Sequence, residues 1–416
     1  MLRRLFDTYK EIIINTIIAA LIGIIIGFID AIFGRVLLQL IKIREDNMIV
    51  VIPFLPLAGV SIMLLFRKIS KSSMKGMTLV FETGLGNSDK IPKALIPLAI
   101  ISTWITHLFG GSAGREGVAV QLGATIAHTI GRKLKMPNNS RTLLIAGMAA
   151  GFAGLFQTPL AATFFAMEVL VTGSLMYEAL LPALAASLVA SYTSHMLGLE
   201  KFSIPISNKM DISVDMIIKL IVIGIVFGVV GGTFAHILGF SKKLFAKLID
   251  NPIKRIFILG CGLAFILIIL HNGRYSSLGT NLINFSFSGG KIYFYDWMIK
   301  IILTILTLSA GYQGGEVTPL FSIGASLGIV LAHLLGIPPV ITAALGYAAV
   351  FGSATNTLLA PILIGVEVFG PDNCLYFIVV CSIAYVFNGN RTIYGAQKRY
   401  SYLASIQDTD EDTDED

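Results

Sequence analysis

Residues 111–123, Gly-Ser-Ala-Gly-Arg-Glu-Gly-Val-Ala-Val-Gln-Leu-Gly, set four glycines and an adjacent Arg115–Glu116 pair inside sequence that is otherwise apolar enough for a membrane. Ionisable side chains at membrane depth are costly and mark functional positions. Glycines let the backbone turn sharply and expose its N–H groups, and the apolar run after Gly117 reads as the start of a helix. A helix N-terminus with bare N–H groups attracts anions. The stretch therefore predicts a broken intramembrane helix aimed at an anion, with the Glu116 carboxylate at its tip. The plainer alternative is an interhelical loop whose arginine and glutamate pair with each other.

The rest of the chain supplies the membrane. Of 416 residues 55% are hydrophobic and 13% charged, against about 25% charged in soluble domains. The apolar runs are long and continuous, without the ten-residue alternation of barrel strands, so the expected class is an all-α polytopic membrane protein. Seven acids fall within residues 408–416; without them 31 basic residues face 18 acidic ones. That excess fits basic cytoplasmic loops rather than nucleic-acid binding. The acidic tail is expected to be disordered. Cys261, Cys374 and Cys381 lack metal spacing and read as buried thiols. No cleavable signal is expected, since the first apolar run continues to Leu40 without a small-residue cleavage pattern.

In chain order, residues 1–11 read as an interfacial cytosolic helix and 12–41 as a long membrane helix. A second span covers about 49–66, and Arg67, Lys68, Lys71 and Lys75 follow. Gly76 to Glu82 is too short to cross. Residues 94–108, 143–170 and 175–197 are further apolar segments, and 198–213 is the best mid-chain linker. A helix is expected over 214–246, another up to about 270, and a third over 297–309, before Gly311-Tyr312-Gln313-Gly314-Gly315-Glu316-Val317-Thr318-Pro319. The hydrophobic remainder ends near Phe387. Basic clusters at 67–75, 132–141 and 242–255, with both termini, are expected to face the cytosol.

An internal repeat organises these segments. Gly147 to Glu168 aligns without gaps to Gly346 to Glu367, keeping Thr158/Thr357, Leu160/Leu359, Ala161/Ala360 and Glu168/Glu367 at an offset of 199. Gly114-Arg115-Glu116 pairs with Gly314-Gly315-Glu316 at 200, and Gly76 with Gly279 at 203. Paired glycine-broken segments in two halves predict a midplane binding site between the repeats. The expected layout is 12–205 for the first repeat, 206–390 for the second, and 391–416 for a cytosolic end.

Gly114-Arg115-Glu116-Gly117, with Gly314-Gly315 and Pro319 two hundred residues on, resembles the CLC chloride channels and transporters. The resemblance spans about residues 10–400. It implies an inverted-repeat fold, a homodimer, and one anion pathway per subunit. It makes Glu116 the gating carboxylate that also carries the exchanged proton. Tyr394, in Arg391-Thr392-Ile393-Tyr394-Gly395, matches the tyrosine whose hydroxyl reaches the anion. Gly76, Met77, Thr78, Gly114, Arg115, Gly117, Val118, Val317 and Thr318 fall on the anion-binding segments. The tandem cytoplasmic domains of many relatives are not expected here.

Three departures narrow the resemblance. The filter serine of chloride members is Met77 here, a thioether in place of a hydroxyl donor. Their Gly-Gly-x-Phe-x-Pro segment becomes Gly314-Gly315-Glu316-Val317-Thr318-Pro319, adding a carboxylate and a hydroxyl. The inner proton-transfer glutamate of chloride/proton exchangers is Val169. Together these resemble the fluoride-exporting CLC-F branch, which implies fluoride/proton antiport across a prokaryotic plasma membrane. A chloride/proton antiporter or chloride channel is the alternative. Fluoride is small and strongly hydrated, so its site must offer close donors; half-helix N–H groups with the Thr318 and Tyr394 hydroxyls would serve. Glu316, repeat partner of Glu116, is a second candidate carboxylate.

A hydrolase reading is remote. Gly110-Gly111-Ser112-Ala113-Gly114 fits G-x-S-x-G with His107 nearby, but that elbow needs a strand before its helix and these flanks are helical. Neither a metal-site nor a cofactor motif is present, and the N-x-S/T matches at Asn138, Asn284 and Asn390 are weak.

Overall fold

The computed structural model describes residues 2–88, 90–134, 140–207 and 213–399, with side chains from Tyr9 onward. The first helix, α1, runs unbroken from Leu2 to Asp46. The separate helix expected over residues 1–11 is instead its opening turns, because nothing before Gly23 breaks helical backbone. After α2 (Met48–Val51) and a 3-10 turn at Ile52–Phe54 comes α3 (Leu55–Ile69). Pro53 sets the 3-10 turn and Pro56 lies in the first turn of α3, and the whole helical segment Met48–Ile69 is long and apolar enough to cross a membrane, in keeping with the span expected over about 49–66.

Gly76, at φ +52°, turns the chain into the short α4 (Met77–Gly84). Next are α5 (Leu95–Leu108), α6 (Glu116–Lys133), α7 (Ser140–Phe156), α8 (Pro159–Glu168) and α9 (Leu180–Met196). The single segment expected over 143–170 is two helices: Gln157 adopts φ +59° and Pro159 opens α8.

The second half repeats the first with α10 (Val214–Leu248), α11 (Pro252–Ile269), α12 (Thr280–Ser288), α13 (Asp296–Ala310), α14 (Val317–Leu335), α15 (Pro339–Thr355), α16 (Leu359–Phe369) and α17 (Cys374–Val386). Within the expected mid-chain linker, 198–213, Ile204 and Ile206 donate their N–H groups to the carbonyls of Val368 and Phe369. Residues 208–212, Lys135, Asn138 and the acidic tail lie outside the described residues. Of the cysteines only Cys381 is buried. Cys261 is exposed because its neighbour Gly260 turns the packed side of α11 onto Tyr312 and Pro56.

The pairing of the halves is visible in the packing. α6 lies on α7 as α14 lies on α15, and α1 lies on α9 as α10 lies on α17. A Cβ at Gly123 would stand 2.0 Å from Gly147 O; one at Gly324 would stand 2.0 Å from Gly346 O. Only glycine permits these backbones to touch, as small-residue interfaces in membranes require.

The two halves also cap each other. Glu168, ending α8, accepts hydrogen bonds from the N–H groups of Leu358, Leu359 and Ala360 at 3.1, 3.1 and 2.8 Å. Glu367, its repeat partner on α16, accepts from Leu160 and Ala161 at 3.1 and 2.8 Å. Each short helix ends in the carboxylate that satisfies the other's exposed N-terminus.

Among the described residues, five helical segments are long and apolar enough to cross a membrane, including Tyr9–Asp46 and Val214–Leu248. Their outer faces expose Ile13, Ile17, Leu21, Phe28, Ile218 and Phe265. Such apolar surface is stable against hydrocarbon and not against water.

Candidate anion pathway

The two glycine loops meet at the centre. Gly114 N–H donates to Gly315 O at 2.5 Å and Gly315 N–H to Gly114 O at 2.7 Å, an isolated antiparallel bridge. The approach is so close that a Cβ at Gly314 would stand 2.5 Å from Ala113 Cβ. From this junction α6 leaves in one half and α14 in the other, bringing the N–H ends of two helices together.

Glu116 is the first residue of α6, one position earlier than the apolar run suggested, and is 1% exposed. Its Oε2 accepts the Thr318 hydroxyl and the Arg115 N–H, the latter at 3.2 Å. Arg115 Nε stands 3.6 Å from Oε1, an ion contact longer than a hydrogen bond. The arginine–glutamate pairing of the plain loop reading is therefore present, but Thr318 of the other repeat shares the carboxylate. Val118 and Val317 are buried in the first turns of their helices.

A cavity of about 360 Å³ opens beside this junction. Its wall includes Gly76, Met77, Thr78, Glu316 and Tyr394, with Gln121, Lys75, Lys242 and Arg255. Residues from three separate candidate segments are thereby brought to one space. Tyr394 is 6% exposed and stacks on Phe81 with ring centroids 4.9 Å apart. Met77 places a thioether, which has no hydroxyl to donate, on this wall. Gly117 packs against the second loop, a Cβ there meeting Gly315 Cα at 3.4 Å.

The two repeat-related glutamates differ in surroundings. Glu116 is enclosed, whereas Glu316 lines the cavity with its side chain 13% exposed and Lys242 Nζ 3.6 Å away. Val169, fully buried, offers no group that could hold a proton.

Three buried ionisable residues escaped the sequence reading as site members. Lys300, 0% exposed, donates to Ser112 Oγ at 2.9 Å, Tyr275 O at 3.0 Å and Ser277 O at 2.7 Å. His107 Nδ1 lies 2.6 Å from Ser277 Oγ, and its Nε2 lies 3.3 Å from Gly114 O. Both therefore support the first loop. Asp30 on α1 is the third. Its signal, like that of Lys300, was a lone charge within an apolar run. Ser112 Oγ bonds Lys300 and Thr304 rather than His107, so the serine–histidine pairing of the hydrolase reading is not made.

The voltage gated chloride channel family model matches residues 58–389. The chain belongs to this CLC family. A solved structure described as a CLC-type fluoride/proton antiporter is 51% identical to this CLC chain, with a TM-score of 0.93 over 94% of this chain and 99% of that one. A chloride/fluoride channel protein of Pseudomonas syringae pv. tomato is 34% identical over 92% of this chain and 85% of its own length. A slow cyanobacterial chloride/proton antiporter, 20% identical, superposes with a TM-score of 0.77 and shares the fold. The inverted repeat read from the glycine segments is the CLC architecture, and this CLC protein is an integral membrane protein.

Proposed function

We propose that this CLC protein is a fluoride/proton antiporter that exports fluoride from the cytoplasm in exchange for protons. The observation that carries the reading is the Glu116 carboxylate, held at the N-terminus of α6 by the Thr318 hydroxyl of the opposite repeat. A carboxylate in that seat marks where hydroxyl and backbone donors converge, and a compact anion can take its place. Met77 in place of a hydroxyl donor weakens the cavity for chloride, and the 51% identical antiporter supports fluoride as the cargo.

Ionised Glu116 competes with fluoride for the same donors. Protonated, it no longer needs them and leaves. Proton binding and anion binding thus oppose each other at one seat, and linkage makes the coupling reciprocal. Tyr394 and Thr78 complete the anion route along the cavity wall, and Glu316 is a second carboxylate that the anion passes. In this reading the protein sits in a prokaryotic plasma membrane with both termini in the cytosol. It forms a homodimer with one pathway per subunit, its exposed Leu181, Leu188, Leu375 and Ile378 covered by a second copy or by lipid.

Purified protein in liposomes under an imposed fluoride gradient tests this. The wild type should drive proton movement and Glu116→Gln should abolish it, because an amide carries no exchangeable acid proton in this range. Anion flux alone does not discriminate, since the neutral variant can stay open or shut. Wild-type proton coupling in Glu116→Gln would move the proton site elsewhere, to Glu316 first.

A further inference from the structure

The internal repeat pairs α4 with α12, at Gly76 and Gly279, yet only the N-terminus of α4 enters the pathway described above. The N-terminus of α12 opens on a cavity of its own, about 180 Å³, walled by Arg44, Glu45, Arg274, Ser277, Gly279 and Thr280. The two cavities lie at opposite ends of the same helices. α11 begins with Arg255 on the wall of the first and is followed by Asn272 and Gly273 on the wall of the second. Its 18 residues span about 27 Å. The membrane-length segment Met48–Ile69 divides in the same way, with Met63 at the first cavity and Met48 at the second. Inverted repeats place such paired ends on opposite faces of a membrane.

Donors and charge converge on the second cavity. α12 is nine residues long and its N-terminus has no side-chain cap, so its first N–H groups keep their donors free. Arg44 is 3% exposed; its Nε has no acceptor, and its Nη1 reaches His107 O only at 3.5 Å. Behind Gly279 stand the Lys300 side chain and Ser322 Oγ, the latter buried without a partner. A Cβ on the glycine would come 2.7 Å from Ser322 Oγ and 2.8 Å from Lys300 Cε. Lys300 donates to Ser112, Tyr275 and Ser277, which takes the three hydrogens of a charged ammonium. Arg274 is already bound to Asp296. Arg44, Arg274 and Lys300 against Glu45 and Asp296 leave one positive charge.

We propose that this cavity is a second anion seat, for one small monovalent anion such as fluoride or chloride, on the face opposite the first cavity. Glu45 is its exchangeable occupant. That carboxylate holds Arg44 Nη2 at 3.0 Å, and with its side chain 53% exposed it can swing into water and yield the arginine to the anion. The seat requires neither protons nor a direction of transport, and so goes beyond the antiport cycle. It adjoins the machinery of that cycle, because Ser277 on its wall bonds His107, whose Nε2 lies at Gly114 O. In the orientation proposed above it faces outward, where exported anion emerges.

Two substitutions move binding in opposite directions. Thr280→Asp plants a tethered carboxylate in the first turn of α12, where acids stabilise a helix, and should abolish binding at this seat. Glu45→Gln removes the competing carboxylate and should tighten binding about two- to fivefold, the worth of an exposed ion pair. Calorimetric titration of the purified full-length protein with sodium fluoride reads both, and Thr280→Val, the neutral control, should bind as the wild type does. Crystals grown in sodium bromide locate the seat. An anomalous peak should stand between Arg44 and Thr280 in the wild type and be absent from Thr280→Asp. No peak in the wild type, or one that survives in Thr280→Asp, would overturn the seat. A peak with no change of fluoride binding in either variant would be an adventitious ion only, and would overturn it too. Should Thr280→Asp fail to fold, Glu45→Gln decides alone, and unchanged fluoride affinity there counts against the proposal. Loss of the seat in Thr280→Asp together with proton coupling retained in Glu116→Gln would sink the antiport reading and spare this one.

Discussion

Replacing Glu168 by alanine should cost more stability than any other single loss at the crossing of α8 and α16. The carboxylate accepts three N–H groups, of which that of Ala360 is buried. A hydrogen bond to a charged group contributes about 1.5–3 kcal/mol net, and bonds sharing one acceptor do not add fully. Truncation also strands a buried donor, so the expected loss is about 3–5 kcal/mol. Glu367→Ala removes two bonds, one to the exposed Leu160 N–H, and should cost about 1–3 kcal/mol. Glu168→Gln keeps an acceptor oxygen and should recover about half of the alanine loss. Denaturant unfolding in detergent, followed by fluorescence of Trp104 and Trp297, measures all three. An alanine variant within 1 kcal/mol of wild type, or Glu367→Ala costing more than Glu168→Ala, would refute the capping account.

Met77→Ser restores a hydroxyl donor to the cavity wall and should shift the fluoride-to-chloride flux ratio toward chloride. The shift should be partial, because Thr318 and Glu316 remain; an unchanged ratio in folded protein removes Met77 as a determinant. Gly314→Ala puts a methyl group 2.5 Å from Ala113 Cβ, where carbons prefer about 3.5–4 Å. The loops must part by about 1 Å, at a cost of about 1–3 kcal/mol. Transport should fall at least tenfold while the protein still folds, and wild-type flux would show that the loop junction need not be tight.

The broken helices were legible because glycine pairs recur at nearly constant spacing; the structure turns Gly147 and Gly346 into backbone contacts no other residue allows, and gives Gly76 and Gly279 the positive φ at which the chain turns into a short helix. Glu168/Glu367 stood out as an aligned pair, yet their reciprocal capping was not readable, since it depends on two short helices crossing. Helix boundaries failed at Gln157, whose left-handed backbone is unmarked by glycine, and at residue 11, where a basic stretch continues the helix. Asp30 and Lys300 were missed because single charges in long apolar runs looked incidental without their partners. His107 drew notice for a serine motif and serves instead to hold the loop that presents Glu116.

The Gly114–Gly315 bridge bears on how the pathway changes its accessible side. Many transporters rock one half against the other around a fixed site. Here such a rotation would have to break both main-chain hydrogen bonds at the junction and pull Glu168 and Glu367 from the opposite helices. The halves are riveted where a hinge would be required. On the antiport cycle proposed above, alternation falls to groups that can turn without moving the frame: the carboxylates of Glu116 and Glu316 and the ring of Tyr394. In that reading the gate is as small as a side chain, and transport proceeds by the trading of places among single groups.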